Sequence, residues 1–389
     1  MQARVWLACL VLGALAWAAP LAAQPIDNPW PDLGAPVSSI GGGTNDVAVV
    51  VAVEEYAELP PVPGALQNAE DWFHYFETVR DLPSGQTLRL YSKRATREKM
   101  LKALRAQVKL AKKGGTFWVF FSGQGAPGNL RSGPLLSGYD TQAEPESVEE
   151  RAVSLQEVLT ELRAGKQSRV VLVIDAQTSG LSPDGKPIVR GLSASEPDLA
   201  SFLAAHKKKS KQEAVVLLAT KGTQGAQVLP GDGRPAFGYF TLGALRGWSD
   251  ADENGTVSAQ ELRDYTAAAM VALVPGAQTP VLGTTKSELL LGESVELGPR
   301  LSDLFARLSG LSKPGPAPSK TTPSKPEPSK PGPTPSKSAT SSIEAMEVII
   351  LDKVNELRSA NGLKPLHREV HLLKAAREHS EEMAVLNYF

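Results

Sequence analysis

Two stretches of this 389-residue chain carry residue types at spacings that do chemistry. The first is a run of hard oxygen donors, DADENGTVSAQE at 250–261. Asp250, Asp252 and Asn254 stand at positions one, three and five of a twelve-residue EF-hand-type loop, and Gly255 makes the sharp turn. Thr256 offers its backbone carbonyl at position seven, Ser258 stands at nine and Glu261 at twelve. Oxygen ligands at this spacing suit calcium better than magnesium, which demands a tighter octahedron. The competing reading is a helix–loop–helix turn whose acids only cap the second helix. The second feature is a pair of apolar runs that end in small and polar residues, FWVFFSGQGAP at 117–127 and VVLVIDAQTSG at 170–180. A buried parallel strand delivers side chains to the carboxyl edge of a sheet in this way. What these two deliver is Gln124 and Gln177, with Ser122, Gly123, Asp175, Thr178 and Ser179 beside them. An amide neither attacks a carbonyl nor carries a proton near neutral pH.

Elements able to hold these residues follow from periodicity. Apolar runs at 47–53, 116–121, 170–174 and 214–219 predict central strands, and 87–91 a shorter one. Helical patterns cover 65–79, 96–112 with Thr96 as N-cap, and 154–163 with the capping box Ser154 and Glu157. Strands alternating with helices imply right-handed crossovers and a mostly parallel, three-layer α/β/α sandwich, with function at the carboxyl ends of the strands. FGYFTLGALRGW before the acidic loop and ELRDYTAAAMVAL after it both read as helices, the context such a loop requires.

The strand ends resemble those of the caspase and metacaspase clan, in particular its exported bacterial members. That family places Ser-Gly-His-Gly after one strand and Asp-Ala-Cys-x-Ser-Gly after the next. The resemblance runs from about Asp46 to Leu290 and includes VAVVVAVEEYAELPPVPGALQNAEDW, AFGYFTLGALRGWSDADENG and Gln278, Thr279 and Pro280. It implies the caspase-like sandwich, and it implies that Gln124 stands in the histidine's place and Gln177 in the cysteine's. The cleft is then expected to persist without its chemistry, and the two glutamines, facing each other, could hydrogen-bond and close it. Relatives recognise a basic side chain before the cleaved bond through acids. Asp175 matches one of these, and Asn68 occupies the position of a second. A carboxylate at a strand end also serves simply to bind loop amides, so both readings of Asp175 stand.

Composition narrows the alternatives. A net charge of −1 gives no reason to expect nucleic acid as a partner. MQARVWLACLVLGALAWAAPLAAQ has the basic start, apolar run and small-residue end of a secretory signal peptide, 1–23, which places the protein in the periplasm or outside the cell. Cys9 is the single cysteine, so removal of that leader leaves no disulfide, no zinc thiolate and no cysteine nucleophile. A Ser179 or Thr178 nucleophile would need a base. Only His74, inside DWFHYF, and His206, beside KKKSK, fall in the α/β region, and both read as packing or surface residues.

Residues 24–45 read as an extended lead-in to a domain at 46–300, and 312–342, with repeated Pro-Ser-Lys units, as a stiff spacer. The segment 343–389 is similar to the opening third of the CAP superfamily, the cysteine-rich secretory protein-like domains. Asn355, Arg358, Asn361, Gly362, Pro365 and Leu366 and the helix AAREHSEEMA carry that likeness. His379 lies on this helix and reads as structural or exposed. The expectation is a calcium-braced pseudo-peptidase that binds peptide or protein segments, basic ones if Asp175 is the recognising acid. The alternatives are a hydrolase with relocated or residual activity and a structural surface scaffold.

Overall fold

The computed structural model describes residues 28–308, except 36, 130, 182–185, 190, 192–197, 275, 277, 287, 288, 295–297 and 300. The expected leader, the Pro-rich spacer and the CAP-like segment lie outside the described residues. The strands are β1 (Val47–Ala52), β2 (Thr87–Tyr91), β3 (Thr116–Ala126), β4 (Leu135–Ser137), β5 (Ala152–Ser154), β6 (Arg169–Gln177), β7 (Glu213–Leu218), β8 (Thr256–Ser258), β9 (Val281–Thr284) and β10 (Leu290–Glu293). The α-helices are α1 (Ala65–His74), α2 (Arg97–Leu110), α3 (Pro145–Arg151), α4 (Leu155–Leu162), α5 (Leu199–Lys207), α6 (Ala236–Gly243), α7 (Ala259–Leu273) and α8 (Leu301–Leu308).

The central sheet runs β2-β1-β3-β6-β7-β9. Its first five strands are mutually parallel and β9 is antiparallel to β7. Strands buried on both faces carry no alternation, and β1, with the sequence VAVVVA, is buried at every position. One face packs against α1, α6 and α7 through Trp72, Phe76, Phe237, Phe240 and Met270. The other packs against α2, α4 and α5 through Met100, Leu104, Leu159 and Phe202. The three-layer α/β/α sandwich expected from the alternation of elements is the architecture found. The expected caps are also present: Thr96 accepts from the Lys99 amide, and Ser154 and Glu157 form a reciprocal capping box.

At the amino edge of the sheet a buried ion pair ties three elements together. Arg80 donates to Asp46 Oδ2 at 2.7 Å, and the same carboxylate accepts from the Thr116 amide at 2.7 Å and the Trp118 indole at 3.0 Å. Arg80 also donates to the Leu291 carbonyl at 3.1 Å, so β10 is held to the same cluster. With its lone pairs met in this way, the carboxylate's desolvation is compensated.

Described residues ahead of β1 pack on the domain. Trp30 is buried edge-on against Tyr239 and Phe240 and donates to the Pro230 carbonyl at 2.9 Å. Tyr239 donates to the Pro31 carbonyl at 2.8 Å, which fixes the strap on the α6 side of the sheet.

Candidate functional site

β3 and β6 both run beyond their apolar cores, to Ala126 and Gln177, and they do so as a pair. Ser122 lies opposite Asp175, Gly123 opposite Ala176, and Gln124 opposite Gln177. Because side chains alternate along a strand, Ser122, Gln124, Asp175 and Gln177 share one face, the face covered by α1 and α6. The two glutamines are thus neighbours at the carboxyl edge, as the sequence predicts. They do not bond each other. Gln124 Nε2 donates to the Pro60 carbonyl at 3.1 Å, in the loop after β1. Its backbone N–H donates to the Tyr56 hydroxyl at 2.6 Å in the same loop. Gln177 Nε2 donates to Ser179 Oγ at 3.1 Å, while its Oε1 accepts from the Ala226 amide at 3.1 Å, in the loop after β7. Each strand-end glutamine therefore fastens a different loop, and both are buried, at 9% and 4% exposure.

Tyr56 closes over this edge because β3 has a glycine beneath it. A Cβ on Gly123 would stand 2.5 Å from the Tyr56 hydroxyl. Burial pushes that phenol's pKa up, opposed only by the Gln124 amide, so it remains a neutral acceptor and donor and supplies no base.

Asp175 is 3% exposed and its Oδ2 is an assembly point. It accepts from the Gly238 amide at 3.1 Å, from Asn68 Nδ2 at 3.3 Å and from Ser122 Oγ at 3.4 Å. Gly238 lies in the first turn of α6, whose N-cap residue, Pro235, has no capping side chain. Asp175 thus caps α6 from across the core, while Asn68 also donates to the Pro235 carbonyl at 2.8 Å. The approach requires glycine, since a Cβ on Gly238 would fall 2.4 Å from the carboxylate. Burial raises the pKa of Asp175 to about 7, against the lowering effect of the hydrogen bonds from Gly238, Asn68 and Ser122. Of the two roles open to it in the sequence, binding backbone and side-chain amides is the one this geometry displays.

Of the nearby hydroxyls, Ser122 donates to the Asp175 carboxylate, and among the described residues no base hydrogen-bonds Thr178 or Ser179. Ser179 Oγ accepts from Gln177 and from the Leu181 amide at 3.3 Å, and Ser122 is fully buried. Among the described residues no histidine hydrogen-bonds Ser122, Thr178 or Ser179. His206 is buried on α5 with neither ring nitrogen partnered, and burial together with the nearby Arg163 charge holds its pKa down.

No protein-family profile matches the chain, and no curated protein matches it. Solved structures do. A structural-genomics target protein from Geobacter sulfurreducens aligns at 18% identity with a TM-score of 0.41, over 62% of this chain and 93% of that one. Caspase-1 from Spodoptera frugiperda aligns at 12% identity and a TM-score of 0.38, over 69% of this chain and 97% of its own. The Drosophila initiator caspase Dronc aligns at 8% identity and a TM-score of 0.39, over 67% and 87% respectively.

The acidic loop folds as a turn between two helical segments. Carboxylate oxygens of Asp250, Asp252 and Glu261 lie within 4.8 Å of one another. Asp250 accepts from the Asn254 and Gly255 amides at 3.0 and 3.1 Å, and Gly255 takes the left-handed conformation at φ 81°. Asn254 is turned otherwise: its Oδ1 accepts from the Thr256 amide at 2.8 Å and the Thr256 hydroxyl at 2.5 Å, and its Nδ2 donates to Asp252. Ser258 and Glu261 form a capping box on α7, so Ser258 Oγ serves the Glu261 amide. The Glu261 carboxylate in turn accepts from the Ser258 amide at 2.9 Å, so helix capping is the use these contacts make of the loop. A feature that sequence reasoning missed is the partner strand: β8, inside the loop, pairs antiparallel with β10, Val257 opposite Gly292. The short run LLGE has no alternation that could have announced this.

Proposed function

We propose that the chain is an exported, caspase-fold pseudo-peptidase that acts as a binding or regulatory module. The observation that carries this reading is the use made of the two strand-end glutamines. Their amides occupy the positions where the motifs resemble those of a histidine and a cysteine, and they hold the Pro60 and Ala226 backbones. A group that spends its hydrogen bonds on loop backbone serves order rather than turnover. Peptide or protein segments remain the partner class, and no feature of the site calls for nucleic acid. Basic segments are the less favoured choice, because Asp175 would have to leave α6 to meet them.

Calcium bracing belongs to the same reading. Asp250, Asp252 and Glu261 would supply carboxylate oxygens and Thr256 its carbonyl, with Asn254 turning its Oδ1 inward from Thr256. The ion's two positive charges would offset most of the repulsion among three acids at one turn and stiffen the α6–α7 junction. Export rests on the apolar leader.

The test is cleavage of a randomised peptide library by the native chain and by Gln124→His combined with Gln177→Cys. The native chain is expected to be silent and the double variant to cut. Reproducible cleavage by the native chain, with contaminating protease excluded by Ser179→Ala and Thr178→Val controls that abolish it, would overturn the reading.

A further inference from the structure

With the glutamine face of the sheet edge fastened by its own loops, the opposite face of the same edge is the open one. A cavity of about 840 Å³ lies there, between the loop that follows β3 and the length of α5. Such a volume is in the range of small-molecule sites, which are concave and mostly apolar with a few placed polar groups. Its apolar walls are Pro127, Pro134, Leu199, Phe202 and Ala205.

Three polar groups in the lining are unspent. Thr178 is 2% exposed, lines the cavity, and its hydroxyl makes no hydrogen bond among the described residues. Gln177 and Thr178 point to opposite faces of β6's end, which explains why one is taken by a loop and the other is not. Arg131 and Lys209 also line the cavity, and neither pairs with an acid among the described residues. The acid in the lining, Asp198, is committed to capping α5, where it accepts from the Ser201 amide at 3.0 Å. Among the described residues the cavity therefore combines two cations that pair with no acid, a threonine hydroxyl that makes no hydrogen bond and an apolar wall.

We propose that this cavity binds a small amphipathic carboxylate, an acyl or aryl chain with one anionic head, the head held by Thr178, Arg131 and Lys209 and the body laid on Phe202 and Leu199. A neutral apolar molecule would leave the cations without a partner, and a small inorganic anion would leave the apolar wall wet. An amphipathic anion satisfies both. The site is independent of the pseudo-peptidase reading, since it shares the edge of the sheet but none of the glutamine contacts.

Titration calorimetry of the full-length chain with octanoate, and with 1-octanol as the uncharged counterpart, tests the assignment. Saturable one-to-one binding of octanoate, with markedly weaker binding of octanol, is expected. Arg131→Gln combined with Lys209→Gln should weaken octanoate by at least about tenfold, since a hydrogen bond to a charged group contributes about 1.5–3 kcal/mol. Ala205→Trp fills the cavity from an exposed helix position, so it should abolish binding while the thermal melt stays unchanged. Absence of saturable binding below the micellar range would overturn the proposal. So would equal binding of octanol, or octanoate binding that survives Ala205→Trp.

Discussion

Replacing Asp175 by asparagine isolates the one carboxylate on which the candidate site is assembled. Burial raises its pKa from 3.8 to about 7 in the folded protein. The unfolded chain releases this proton near its ordinary value, whereas the folded chain holds it to near neutrality. Between those limits the unfolded state binds fewer protons, so stability falls as pH rises. The contribution is complete below the unfolded pKa and gone above the folded one. About three pH units at about 1.4 kcal/mol each give an upper figure of about 4 kcal/mol. Asparagine keeps an acceptor for the Gly238 amide and for Asn68 but has no proton to lose. Urea unfolding followed by fluorescence of the buried Trp72 and Trp118 should therefore show wild type losing stability between pH 4 and 8 relative to Asp175→Asn. The difference between the two proteins is the quantity to read. Asp71, also raised by burial, and Glu157, lowered to about 2 by its bonds with Arg97, titrate alike in both and cancel. A difference that stays constant with pH would refute the reasoning, because it would mean that the carboxylate ionises at its ordinary pKa inside the fold.

Two further outcomes follow from the contacts described. Asp46→Ala strands Arg80 in the core beside Trp118 and should cost about 3–5 kcal/mol in chemical denaturation; a loss under 1 kcal/mol would show that water reaches the guanidinium. If the acidic loop is braced by calcium, the full-length chain should melt at higher temperature in calcium than in chelator, with about 2.7 kcal/mol more stability at a hundredfold excess over the dissociation constant. Asp252→Asn, at an exposed loop position, should remove that difference, and equal melts of the native chain with and without calcium would dispose of the brace.

Local features were legible in the sequence because they are encoded within a few residues. The uninterrupted apolar run of β1, the capping box at Ser154, and the glycine turn at 255 each follow from a pattern shorter than one element. The placement of Gln124 beside Gln177 was implied by the resemblance of the two strand ends to the caspase motifs. What surrounds that pair was not. Pro60 and Ala226 reach the glutamines from the loops after β1 and β7, the strands that flank the pair, and no periodicity announces where a loop will fold back. For the same reason Trp30 reads as part of a linker, yet it packs on residues 209 and 210 positions later in the chain, Tyr239 and Phe240. The sequence by itself determined the sandwich, the strand ends and the acid loop, because those depend on side-chain spacing. Only the tertiary structure decided what Asp175 binds, which strand partners β8, and that the open cavity faces away from the glutamines, because each depends on contacts between residues far apart in the chain.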